Sequence, residues 1–402
     1  MIELNRKEQC CGCGACAEVC AHKAITMQLD EEGFLYPTTD SSLCNDCGLC
    51  NKVCPFANRD EARIPKCVLA VQNRDESVRL KSSSGGLFTL LAEQTILDGG
   101  VVFGAKFDKD WSVVHASADT IEGCKAFMGS KYVQSRLGST FRKVQGYLKD
   151  GRKVLFSGTP CQVAALRKFL RRDYDNLLVV DVVCHGAPSN KVWQHYLDSV
   201  VASSNHTRED IVSISFRDKR NGWRKYGLVI SFNDGTEFFE PMINNSYMRV
   251  FLKDLSIRPS CFECACRDGR SGADLSLADL WGAQKILNKN DDDKGIGLEL
   301  IWTNKGKDIM HSLAVESESV KYHKAFKYNP AIALSPKRPA IRAEFWRTFN
   351  RDGLDSAVAV VIPNIKWSLY QKWLYKLKKS YIKAKLKLRY NEDRNSNPTV
   401  VE

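Results

Sequence analysis

Eight cysteines near the amino terminus fall into two runs of identical spacing. Cys10, Cys13, Cys16 and Cys20 are separated by two, two and three residues, and Cys44, Cys47, Cys50 and Cys54 repeat the pattern 34 residues later. Gly14 matches Gly48 and Val19 matches Val53, so the segment is an internal duplication as well as a ligand pattern. Four thiolates from a tight loop suit a 4Fe-4S cube, because two-residue gaps let neighbouring cysteines converge while backbone N–H groups reach the sulfurs. Paired cysteines also bind zinc, but zinc modules rarely need two identical four-cysteine runs. Cys11 is surplus to both runs.

The runs resemble those of two-cluster bacterial ferredoxins, in which the fourth cysteine of each run ligates the other cluster. That pattern assigns one cluster to Cys10, Cys13, Cys16 and Cys54, and a second to Cys44, Cys47, Cys50 and Cys20. Cys54 is followed by Pro55, as in the pattern, whereas Cys20 is followed by Ala21. Between the runs, Ala24–Leu29 and Phe34–Tyr36 predict a short hairpin across Asp30–Gly33.

Behind this head, four segments could do chemistry, and strands and helices must place them. Ser82-Ser83-Ser84-Gly85-Gly86 precedes a predicted helix at Leu87–Leu97; serines can cap a helix, glycines admit close approach, and free N–H groups would receive a phosphate. Ser157-Gly158-Thr159-Pro160-Cys161-Gln162 falls between a predicted strand, Lys153–Phe156, and a helix, Gln162–Leu170. Cys184-His185-Gly186 ends the apolar strand Leu177–Cys184. Cys261 and Cys264 form a CxxC pair followed by Cys266 and by Asp279-Leu280-Trp281-Gly282. Together the last three segments supply four or five cysteines, the number a further cluster or a zinc site needs.

Further strands are predicted at Val68–Gln72 and Val101–Phe107, and after Ile211 at Val212–Arg217 and Tyr226–Asn233. Alternation of strand and helix argues an α/β domain with antiparallel additions, so the fold class spans α+β to α/β. No GxGxxG follows a predicted strand and no GxxxxGK[ST] occurs, so the usual dinucleotide and P-loop fingerprints are absent. His115, His195 and His206 stand outside the motifs and read as ordinary polar or packed histidines, while His185 is placed to support its neighbour Cys184.

The chain has 402 residues and a net charge of +12, but Asn364–Glu402 alone carries ten Lys/Arg against three Asp/Glu. The body is nearly balanced, and nucleic acid is not an expected partner. The start, MIELNRKEQCC, has no apolar signal region, and no apolar run approaches the ~18 residues of a membrane span; Asn176–Cys184 and Ala357–Pro363 are strand-sized. A cytoplasmic location and metal-bound thiols follow as the expectation for the sixteen cysteines. Between Lys366 and Tyr390, Trp367, Tyr370, Leu374, Leu377, Tyr381 and Leu388 share one face of a predicted helix, flanked by lysines. Such a helix suits a peripheral contact at the inner face of the cell membrane, or docking on the body or a partner subunit.

Taken in order, SSSGG at 82–86, GSKYVQS at 129–135, SGTPCQVAAL at 157–166, CHGAPS at 184–189 and RPSCFEC through ADLWG at 258–282 resemble the beta-subunit family of coenzyme F420 hydrogenases and dehydrogenases. The resemblance covers residues 1 to about 350. It implies an iron–sulfur flavoprotein oxidoreductase in which FAD exchanges a hydride with coenzyme F420 or another hydride carrier and electrons leave through 4Fe-4S clusters. It further implies that Cys161, Cys184, Cys261 and Cys264 hold a third cluster, with Cys266 a competing ligand, and that Ser83, Ser84, Gly85, Gly86, Lys131, Tyr132, Ser135 and Thr159 surround the flavin. The alternative is an electron-transfer subunit without substrate chemistry, serving a redox partner protein. The expected organisation is a two-cluster ferredoxin-like domain over 1–62, a flavin and 4Fe-4S domain over 63–350 and a basic tail over 351–402.

Overall fold

The computed structural model describes residues 1–288 and 291–361. The face of aromatic and lysine residues expected between Lys366 and Tyr390 lies outside the described residues.

The duplicated glycines do the same work twice. Gly14 (φ +74°) and Gly48 (φ +71°) each take the left-handed conformation that starts a short helix, Ala15–Val19 and Leu49–Lys52, and a side chain resists that backbone. The expected hairpin forms between them, from β1 (Ile25–Leu29) and antiparallel β2 (Leu35–Thr39). Asp30 closes its turn by accepting N–H bonds from Glu32 and Phe34.

The body is a large mixed sheet. Its strands in chain order are β3 (Cys67–Asn73), β4 (Val101–Phe107), β5 (Val113–Ala118), β6 (Val154–Gly158) and β7 (Leu177–Val182). A separate three-stranded antiparallel sheet follows, β8 (Ile211–Asp218), β9 (Gly227–Phe232) and β10 (Glu237–Pro241). The large sheet then resumes with β11 (Leu275–Asp279), β12 (Gly297–Ile301) and β13 (Val315–Ser319), in the spatial order β13-β3-β12-β11-β7-β6-β4-β5. Four adjacent strands, β11, β7, β6 and β4, are mutually parallel, and the outer pairs are antiparallel.

That topology matters because parallel strands deliver their carboxyl ends to one edge, where α/β sheets bind ligands. Gly158, Val182 and Asp279 all end strands there, so SGTPC, CHG and ADLWG meet. Helix Pro160–Leu170 starts at once after β6: Thr159 and Gln162 form a reciprocal capping box and Pro160 needs no N–H partner at the first position. Phe103, Phe141, Phe156, Val163 and Leu166 fill the space under it and are fully buried. Burial of each such side chain contributes ~1.5–3 kcal/mol.

Residues 354–361, counted with the tail by sequence, form a helix, Leu354–Val361, whose Leu354, Ala357 and Val361 are buried in the body's second core. The apolar run around Ala357 is thus helical and not a strand, because its buried positions recur three and four residues apart. No helix among the described residues is long and apolar enough to cross a membrane.

Candidate functional site

At the carboxyl edge lies a cavity of about 430 Å³, within the ~300–1,000 Å³ range of small-molecule sites. Ser83, Ser84, Gly85, Gly86, Lys131, Tyr132, Ser135 and Thr159 all line it, together with Cys161, Cys184 and the Cys11–Cys13 stretch of the head. A second cavity, also about 430 Å³, adjoins it across Ser82, Ser83, Lys131 and Arg217.

The SSSGG loop is built differently from the expectation. None of its serines caps the helix Leu87–Leu97; the cap position is Gly86 (φ +85°), with no side-chain bond. The serines instead hold neighbouring segments. Ser83 Oγ accepts from Ser130 N at 2.7 Å, and Ser84 Oγ donates to Ile296 O at 2.8 Å. Gly85 is pressed between β3 and β12, where an added Cβ would sit 2.2 Å from Val71 O and 2.5 Å from Gly297 N. The small sheet braces the loop from outside through Trp223 Nε1 to Ser83 O and Lys219 Nζ to Ser84 O.

Besides Lys131, the cavity draws its charge from residues that the sequence motifs did not single out. Arg217, 6% exposed, pairs with Asp279 at 2.7 Å, while its Nε and Nη2 have no hydrogen-bond partner. Burial works against its charge, but Asp279, with Tyr132 and Tyr226, raises its pKa. Trp223 and Trp281, stacked at 4.7 Å, and Tyr226 pack around the guanidinium. Lys131 donates to the Ala126, Met128 and Gly129 carbonyls, and burial pulls its pKa down to about 7. Glu299, 2% exposed in β12, keeps Oε2 without a partner, and burial holds its carboxyl well above the usual range. The sequence signal was available for Glu299, a carboxylate inside the apolar run GLELI, but Arg217 has none beyond its place in a strand.

His115 also lines the cavity, with Nε2 3.0 Å from Ser157 O; burial first, against that carbonyl, lowers its pKa to about 4. His206 stacks on Phe232 and His195 packs on Phe349, the ordinary roles expected of them. His185 Nε2 faces Asp254 Oδ1 at 2.8 Å.

The thiols gather in neighbourhoods. Cys16 is raised to about 12 by burial, then by Cys10 and Cys54, and Cys10 is raised by burial and, against Arg258 and the Gly12 N–H, by Cys54. Cys50 and Cys20 pack together in the same small core, and Cys44 and Cys50 both lie near the amino-terminal ammonium. In the body, Cys184 is raised by burial, with Cys261, Cys161 and Cys264 as neighbours. Cys264 hydrogen-bonds Cys266 and is held down by that bond, by Arg267 and by the N–H groups of Cys266 and Arg267, whereas Cys266 is pushed up. Cys264 is therefore the better anion of the two. Cys11 joins the two regions, hydrogen-bonding both Cys13 and Cys161.

A cube of iron and sulfide fits this donor set. Backbone N–H groups reach two of the sulfurs, Gly12 N to Cys10 and Ala187 N to Cys261, both at 3.3 Å, and such bonds tune a cluster's potential. Among the described residues no group of three or more His, Cys, Asp or Glu side chains is arranged to hold a metal ion.

Comparison with known proteins agrees with the motif resemblance. Residues 151–325 match the family described as the carboxyl terminus of the coenzyme F420 hydrogenase/dehydrogenase beta subunit, and residues 9–58 match the 4Fe-4S dicluster domain. The SSSGG and GSKYVQS segments precede the first of these matches. A coenzyme F420-dependent sulfite reductase of Methanocaldococcus jannaschii is 28% identical over 326 residues, 76% of this chain and 46% of that protein. An uncharacterized protein of the same organism is 24% identical over 206 residues, 44% of this chain and 56% of the relative. The chain thus spans about half the length of the curated relatives it matches. A chain of the F420-reducing [NiFe] hydrogenase complex from Methanosarcina barkeri aligns with TM-score 0.44 and 17% identity over 78% of this chain and 97% of its own.

Proposed function

We propose, from the match of residues 151–325 to the carboxyl terminus of the coenzyme F420 hydrogenase/dehydrogenase beta subunit and of residues 9–58 to a 4Fe-4S dicluster domain, that this chain is an iron–sulfur flavoprotein oxidoreductase. Its substrate is a soluble hydride carrier, coenzyme F420 or one of like chemistry. A flavin accepts two electrons as hydride and returns them singly, and iron–sulfur clusters carry them one at a time.

The carrying observation is continuity: one cavity is lined by the SSSGG loop, by Lys131 and by Cys161 and Cys184, and it extends to Cys11–Cys13 of the head. In this reading the SSSGG backbone and Arg217 receive the phosphates of FAD, since Arg217 offers two unused donors. Lys131, whose pKa burial lowers to about 7, would take up its proton beside a reduced, anionic ring system and favour that form. Tyr132 and Trp281 line the same cavity and would shield a bound ring system from water. Cys161, Cys184, Cys261 and Cys264 hold one cluster, with Cys266 protonated beside them; Cys10, Cys13, Cys16 and Cys54 hold the second, and Cys44, Cys47, Cys50 and Cys20 the third. The order of thiols, body to Cys11 to Cys13, supports a relay between the body and the head. The exposure of Cys47 supports electron exit on that side of the head to a redox partner protein.

Anaerobic purification of the full chain tests the reading. About twelve irons and one FAD per chain are expected, with flavin bleaching on addition of reduced F420. Iron–sulfur absorbance without flavin would instead favour an electron-transfer subunit. The share of the sulfite reductase left unmatched, 54% of its length by difference from the 46% covered, is the observation behind that second reading.

A further inference from the structure

Five arginines are buried in the described chain: Arg79, Arg217, Arg258, Arg267 and Arg342. Three of them pair with a carboxylate, Asp292, Asp279 and Glu32 respectively for Arg79, Arg217 and Arg342. Arg258 and Arg267 form no ion pair among the described residues, and both flank the cysteines of the RPSCFECACR segment. A buried cation without a counter-charge is strongly disfavoured, so its counter-charge must be something other than a carboxylate.

Arg258 is the deepest of the five, 1% exposed. It leaves the body at the turn that positions Cys261, whose N–H donates to Arg258 O at 3.0 Å, and its side chain enters the head. There Nε donates to Cys10 O and Nη2 to Leu35 O, each at 2.7 Å, and Nη2 stands 3.6 Å from Cys10 Sγ. The guanidinium lies over the Tyr36 ring at 4.2 Å. Room for it comes from Gly12, where a Cβ would meet Nη1 at 2.6 Å. Its remaining contact is neutral: Gln134 Oε1 accepts from Nη1 at 3.4 Å, while Gln134 Nε2 donates to Cys11 O.

We propose that Arg258 is the fixed positive charge that raises the reduction potential of the cluster held by Cys10, Cys13, Cys16 and Cys54, making that cluster the downhill acceptor from the body. The proposal rests on reading those thiols as cluster ligands. Reduction adds one negative charge beside Cys10, and a cation held at hydrogen-bonding distance favours the reduced form. In the step it promotes, one electron leaves the body cluster and one reaches the head cluster, with no bond or proton changing place; the hydride donor is the ultimate reductant. Arg258 acts through Cys10 and is a positioning residue.

The experiment is an anaerobic redox titration of the full chain followed by electron paramagnetic resonance, with iron content measured on each sample. Arg258→Gln removes the charge; Gln134→Glu keeps the arginine and sets a carboxylate against it. In both, one cluster signal should become at least tenfold harder to reduce at a fixed potential, a shift of about 59 mV for one electron. Arg258→Lys should recover most of the difference. Unchanged potentials in loaded Arg258→Gln overturn the proposal, as does an equal shift in the Lys and Gln variants, which would show a packing effect. If Arg258→Gln fails to retain iron, Gln134→Glu decides alone: unchanged potentials there overturn it. Wild-type protein without iron–sulfur absorbance would fail the ligand reading itself, a separate result.

Discussion

Gly85→Ala should damage the candidate site and the sheet together. The new Cβ would lie 2.2 Å from Val71 O and 2.5 Å from Gly297 N, and both are backbone atoms of paired strands, Gly297 standing opposite Val71 in the β3–β12 ladder. Carbon and oxygen normally touch near 3.3 Å, so the loop must retreat by about 1 Å. That movement strains the bonds holding it, Asn73 N to Gly85 O and Ser84 Oγ to Ile296 O, both at 2.8 Å. Losing both costs about 2 kcal/mol, and residual overpacking adds ~1–3 kcal/mol. A total near 3–5 kcal/mol corresponds to a fall in Tm of roughly 6–20 °C at ~2–4 °C per kcal/mol. Gly146→Ala is the control, since nothing lies within 4 Å of its added Cβ in the helix Thr140–Lys149; it should gain ~0.5–1 kcal/mol. Thermal unfolding and FAD content of the two variants provide the measurement. A Gly85→Ala protein that melts with the wild type and binds FAD as well would refute the close-approach argument.

Three other outcomes are expected. Because burial raises the Glu299 carboxyl above its usual 4.5, the folded state holds a proton that the unfolded state has lost, so its contribution is full below pH 4.5 and declines as pH rises, by about 1.4 kcal/mol per unit up to the folded pKa. Glu299→Gln should abolish that decline, seen as a Tm that falls less than the wild type's between pH 5.5 and 7.5; parallel curves would show Glu299 ionised. Arg342→Ala leaves Glu32 buried without the 2.7 Å bond to Arg342 Nη1, a loss of ~3–5 kcal/mol that should loosen the head and speed tryptic cleavage at Arg59, Arg63 and Lys66. Arg217→Met removes a charge-assisted donor worth ~1.5–3 kcal/mol, so on the proposed flavoprotein reading the Kd for FAD, read by flavin fluorescence, should rise about tenfold or more; an unchanged Kd would remove Arg217 from the proposed phosphate site.

What the sequence disclosed was local. The cysteine runs are legible because all eight thiols lie within 45 residues and their spacing is itself the geometry. Helix Leu87–Leu97 and strand Val101–Phe107 have the predicted bounds because apolar periodicity sets them. The place of Cys161 where a strand gives way to a helix, and of Cys184 just past the end of β7, was legible for the same reason. The serine cap failed because Gly85 must pass between β3 and β12, a packing demand from residue 297 that outranks local capping preference. Arg258 beside Cys10 joins residues 248 apart in the chain, and no periodicity encodes such a meeting. Glu299 Oε2 lacks a partner for a tertiary reason too, namely a cavity wall assembled from segments far apart in the chain.

Cys161, Cys184, Cys261 and Cys264 come from segments spread over about a hundred residues, and they meet only when β6 and β7 are paired and the loop ahead of β11 has closed over them. The eight thiols of the head all lie within the first 54 residues. During synthesis the two kinds of site therefore become competent at different moments, and a ribosome must release more than half the chain before the body thiols can converge. The eight head thiols are complete in the chain while the body's are still being made. Any body cluster is a late acquisition, and starvation for iron should yield molecules filled from the amino terminus first.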